Sequence, residues 1–69
     1  MTKLYVYEIN SLEHIATINA ESEEECEIQA TAMFGEDIAY SWTFYPSFGK
    51  KGGLKYDPDA AILDYRVGK

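Results

Sequence analysis

The sequence predicts an α+β domain: an antiparallel β-sheet of four to five strands, in ββαββ order, with one helix packed on one face. Three observations predict it. Two β-rich stretches at the start are separated by a short polar turn. An acidic stretch with a capping signal and helical spacing follows. A run of alternating aromatics comes next.

The first strand is "KLYVYEI", residues 3–9. Tyr5, Val6, Tyr7 and Ile9 are β-formers, and both faces are partly apolar, which suits a central strand. "NSLE" supplies turn residues, and "HIATINA", 14–20, is a second strand anchored by Ile15 and Ile18. Strand, short turn and strand make a β-hairpin.

"AESEEECEIQATAMFG", 20–35, predicts the helix. Ser22 followed by Glu25 is a capping box, in which the hydroxyl accepts from the third helical amide and the carboxylate reaches back to the cap amide. Glu23, Glu24 and Glu25 sit where the helix dipole favours anions. Cys26, Ala30, Met33 and Phe34 recur at helical spacing beside Gln29, and Gly35 is placed to end the helix.

"DIAYSWTFY", 37–45, puts Ile38, Tyr40, Trp42 and Phe44 on one face and Ala39, Ser41, Thr43 and Tyr45 on the other. That alternation predicts a half-buried strand, ended by Pro46. "PSFGKKGG" is a glycine-punctuated loop, and "LKY", 54–56, is a candidate return strand that would make it a long hairpin. Residues 57–67 read two ways. Asp57 and Pro58 can open a short helix through "AAILD", or "AILDYRV" can form an edge strand, which we favour. One face of such a sheet is covered by the helix and the other is left open.

Sixty-nine residues make one domain, 1–69. A chain this short buries only about 60% of its unfolded surface. Cys26 is the only cysteine, which excludes an intrachain disulfide, and its place on the apolar stripe makes it a small buried hydrophobe. His14 reads as a surface or hairpin histidine, with no nucleophile or acid placed by sequence to use it as a base. No metal-ligand spacing is present, and neither a metal nor another cofactor is expected. Asp57, Asp59 and Asp64 lack a calcium-loop pattern and read as cap or turn residues. "FGKKGGLK" lacks the spacing of a phosphate loop. No catalytic motif appears, so we expect no enzyme. No export signal or membrane-length apolar run is seen, and the unpaired cysteine points to the cytoplasm.

The charge is uneven. The net value is −6, yet residues 38–56 carry only Lys50, Lys51 and Lys55, giving +3 against −9 for the rest. Net acidity disfavours a nucleic-acid backbone and favours a protein partner. Two candidate contact surfaces follow. Tyr40, Trp42 and Phe44 are expected in the core, leaving Tyr45 and Phe48 exposed beside Lys50, Lys51 and Lys55 as an aromatic/lysine loop. Glu23, Glu24 and Glu27 belong to an acidic helix face. Such a face is ordinarily just solvated, but its carboxylates can also mimic phosphates toward a basic groove.

"KLYVYEI…HIATINAESEEECEIQA", a hairpin running into a capped helix, followed by "YSWTFYPSFG", resembles the very small acidic α+β accessory proteins of bacteriophages, some anti-CRISPR inhibitors among them. The resemblance covers nearly the whole chain and rests on size and element order. It implies a small protein that binds a host protein or complex and inhibits or redirects it. A homodimeric structural role and single-stranded nucleic-acid binding through the lysine loop are the alternatives.

Overall fold

The computed structural model describes residues 2–65. Along the chain run β1 (Thr2–Glu8), β2 (His14–Ala20), α1 (Glu23–Phe34), β3 (Tyr40–Thr43) and β4 (Ala61–Asp64). They form an α+β domain with one four-stranded sheet, ordered β3-β1-β2-β4, and one helix.

β1 pairs antiparallel with β2 and with β3, whereas β4 pairs parallel with β2. The sheet is therefore mixed, not antiparallel as expected, and its spatial order does not follow the chain. The reason is the connection 44–60. It leaves β3 at one edge and reaches β4 at the other, and a parallel pair needs a crossover of about a dozen residues or more. Residues 54–56 consequently form no return strand. Their backbone pairs only through an isolated parallel bridge between Glu13 and Lys55. Residues 61–64 are an edge strand, as favoured, while Arg66 and Val67 lie outside the described residues.

Strand register sorts the side chains onto two faces. Leu4 opposes Ile18 and Val6 opposes Ala16; with Ala20 these five are fully or almost fully buried beneath α1. The helix meets them through Cys26 and Ala30, both completely buried. Small residues on both sides let backbone approach backbone. Phe34, Tyr40, Trp42, Phe44, Leu63 and Tyr65 are partly buried around this centre. Tyr40, Trp42 and Phe44 thus join the core at its margin. Ile38 does not: it precedes β3 and is 94% exposed.

The helix begins as its sequence dictates. Ser22 Oγ accepts from Glu25 N at 3.2 Å. The Glu25 carboxylate accepts from Gln29 Nε2 along the helix at 3.2 Å. Gly35 ends the helix in a right-handed conformation, its amide bonded to Thr31 O at 2.9 Å. Met33 faces outward more than its place in the stripe suggests, and its sulfur accepts from Tyr65 Oη at 3.1 Å.

Candidate functional site

The second face of the sheet is not open. The crossover 44–60 folds back over it and carries Phe48, Leu54 and Tyr56 onto β1 and β2. Two backbone bonds pin it to the hairpin turn: Lys55 N donates to Leu12 O at 2.8 Å, and His14 N donates to Lys55 O at 3.0 Å. Leu12 turns the chain there in the left-handed region, at φ 61°. Gly49 and Gly52 adopt φ 75° and 77°, which glycine takes without steric cost. A structureless connection of this length inside a compact domain is uncommon and is often functional.

A β-bulge decides what the crossover covers. Val6 pairs with Ala16, but Tyr7 pairs with His14, so Ile15 is the extra residue. Plain alternation would put His14 with Ala16 and Ile18 beneath the helix. The bulge turns it over to the second face, as bulges beside functional groups often do. There it is only 3% exposed. It is therefore not the surface histidine that the sequence suggests. Tyr5, Phe48 and Tyr56 surround its ring at centroid distances of 5.6, 5.4 and 5.8 Å, and Tyr56 stacks on it at 21°.

His14 Nε2 and Thr17 Oγ1 share a hydrogen bond of 2.7 Å. His14 Nδ1 and Asn19 Oδ1 are buried without a protein partner. A buried polar atom left unpaired costs about 1–3 kcal/mol. Two such atoms in so small a domain ask for an explanation. His14, Thr17 and Asn19 line a cleft of about 160 Å³ whose outer wall includes Tyr56, Asp57, Pro58 and Ile62, with Lys3 at its edge. A larger hollow of about 740 Å³ lies along Glu23, Glu24, Glu27 and Ile28, but its lining residues are all exposed. That hollow is the outer surface of a single helix and holds no buried polar group.

The residues expected to contact a partner separate in space. Phe48 is half-buried in the aromatic cluster, so it is not the exposed neighbour of Tyr45; its ring fills the space over Tyr5 and His14. Tyr45 is 81% exposed. Lys50 and Lys51 are exposed at the loop tip, and Lys55 is exposed while its backbone holds the turn. Glu23, Glu24 and Glu27 are exposed on α1. Glu23 and Tyr45 line the same shallow depression of about 380 Å³, together with Lys3, Tyr5 and Phe44. His14, Thr17 and Asn19 were missed. A histidine at a strand start next to Ile15 carries no sequence mark of a bulge, and no local pattern reveals that a distant loop returns to cover it.

Cys26 is buried with Sγ 3.5 Å from Thr2 O and 3.7 Å from Ile18 O. Burial pushes its thiol pKa up; a backbone hydrogen bond with Ala20 partly offsets this, and Glu23, Glu25 and Glu27 add to the rise. Such a thiol is a poor nucleophile. Among the described residues no group of three or more His, Cys, Asp or Glu is placed to hold a metal ion, and no helix is long and apolar enough to cross a membrane. Comparison with family models, curated proteins and solved structures finds no match for this chain.

Proposed function

We propose that this chain is a small non-enzymatic binding module that engages a protein partner, of the kind that handles nucleic acid, and inhibits or redirects it. The observation that carries this reading is the exposed Tyr45 lining one depression with Glu23, on a loop already held in place by Phe48. Tyrosine is a favoured anchor of protein interfaces. A loop ordered before binding loses little further freedom on contact. The glutamates of α1 add a negative field beside the anchor, suited to a basic partner surface. The resemblance to phage inhibitors supports the same role, which would be exercised in a host cytoplasm.

The test is capture from a bacterial lysate at about 50 and about 300 mM salt, a range over which exposed charge interactions weaken. The expected result is one enriched complex, weakened at high salt and lost with Tyr45→Ala and with Glu23→Lys/Glu24→Lys. Equal capture by parent and variants would overturn the surface assignment.

One observation favours a second reading, self-association. β3 is an edge strand, and residues 38–49 around it hold no charged side chain, although edges are commonly protected by charge. Edge-to-edge pairing of two copies would cover it. Sedimentation showing a single-chain mass at high concentration would remove this reading.

A further inference from the structure

We propose that the cleft between β2 and residues 56–60 is a binding site for a small uncharged planar molecule that carries ring N–H donors beside a carbonyl, a cyclic amide of the pyrimidine-base kind. This goes beyond the partner-binding surface: Tyr45, Glu23, Glu24 and Glu27 do not line the cleft, which shares only Lys3 and Tyr5 with the depression beside Tyr45.

Four features of the cleft define the ligand. Size comes first. About 160 Å³ exceeds the roughly 30 Å³ share of one water and falls below the roughly 300–1,000 Å³ of drug-sized pockets, which leaves room for a single ring. Charge is second. The buried lining residues are His14, Thr17 and Asn19, with no Asp, Glu, Lys or Arg among them, while Lys3 and Asp57 stand exposed at the rim. A charged ligand would lose its hydration there without a buried counter-charge. Third is hydrogen bonding. Asn19 is 9% exposed and its Oδ1 has no partner, so it calls for a donor on the ligand. His14 Nδ1, equally unpaired, adds a second polar group in the same wall. Last is shape. Tyr5 and Tyr56 present aromatic rings to the cleft, and aromatic rings favour planar partners.

The bulge brings His14 to this wall while its extra residue, Ile15, packs against the helix-side core; regular alternation puts Thr17 and Asn19 beside His14, and the crossover closes the cleft over them. Two polar atoms buried side by side without a protein partner mark this wall as a site or as a defect. The experiment separates the two.

Uracil is the probe, titrated into ¹⁵N-labelled protein to about 20 mM and followed by backbone and side-chain amide shifts. The expected result is saturation with Kd of about 1 mM or tighter. The shifts should be confined to Asn19, Thr17 and residues 56–60. 1,3-Dimethyluracil, which keeps the ring and lacks the N–H donors, should bind about tenfold weaker or worse. Asn19→Leu should lose uracil binding while remaining folded, since it replaces an unpaired buried polar group with an apolar one. If that variant does not fold, Asn19→Ala, which removes the same acceptor, serves in its place. A short oligouridine distinguishes free base from a strand: tighter binding than uracil with the same confined shifts assigns the site to single strands. Absence of shifts with uracil, equal binding of the dimethyl compound, or undiminished binding by folded Asn19→Leu would each overturn the proposal and leave a water-filled cleft.

Discussion

The two faces of the sheet are covered in different ways. Beneath α1 lie Leu4, Val6, Ala16, Ile18 and Ala20, closed by Cys26 and Ala30. The crossover side buries His14, Thr17 and Asn19 under Phe48, Leu54 and Tyr56, and leaves two polar atoms unpaired. One face is apolar, with Ala16, Ala20, Cys26 and Ala30 set among Leu4, Val6 and Ile18. The other is aromatic, polar and built around a bulge. The contrast divides the molecule: the helix side is an apolar core, and the crossover side is where the buried polar groups collect.

The sharpest way to break that division is to truncate one residue on each side. Ile18→Ala removes a fully buried side chain from the apolar face and should cost about 2–5 kcal/mol, enough to unfold much of a domain this small. Phe48→Ala removes a half-buried ring from the crossover side and should cost about 2 kcal/mol, below the range for fully buried aromatics. Its effect should also be local. Exchange of the His14 and Lys55 amides should accelerate, while amides of α1 stay protected. Urea unfolding and hydrogen exchange read both. Equal losses from the two variants, with exchange rising everywhere, would show one cooperative core and end the distinction.

The helix cap gives the next step down. Ser22→Ala deletes the hydroxyl that accepts from Glu25 N and should cost about 1 kcal/mol. This element was legible in the sequence because all its signals are local: a cap, three acids, then a helical stripe. The hairpin was legible for the same reason. His14 was not, because a bulge at Ile15 trades one face for the other and costs the sequence no visible change in pattern. The parallel pairing of β4 was equally hidden, since it depends on where the crossover lands and not on what β4 contains. Phe48 reads as an exposed contact residue and Tyr56 as part of a return strand because their partners, Tyr5 and His14, are distant in the chain. Glu23, Glu24 and Glu27 share a helix face by sequence spacing alone, but the depression that Glu23 shares with Tyr45 needs the fold.

Cys26 tests the apolar face by pH. Its thiol pKa is raised in the fold, chiefly by burial. The folded state then keeps a proton that the unfolded state gives up. The resulting stabilisation is complete below the ordinary thiol range and is lost as pH rises through the raised folded value. Urea midpoints of the parent should therefore fall, above about pH 8.5, further than those of Cys26→Ala, in which the thiol contribution is absent. Parallel pH profiles for the two would mean that the helix side admits water.

The smallest expected effect falls at the loop tip. Lys50→Glu with Lys51→Glu takes the net charge from −6 to −10, yet stability should change by no more than about 0.5 kcal/mol. The loop is held by the Phe48 ring and by the two backbone bonds through Lys55, none of which involves a lysine head group. Thermal unfolding of the double variant at low and high salt checks this. A large loss that salt relieves would mean the lysines hold the crossover against the acidic remainder of the chain, so that the loop is an electrostatic clasp. No loss, together with altered capture of a partner, would leave those side chains free for recognition and put the whole support of the loop in its aromatic anchor.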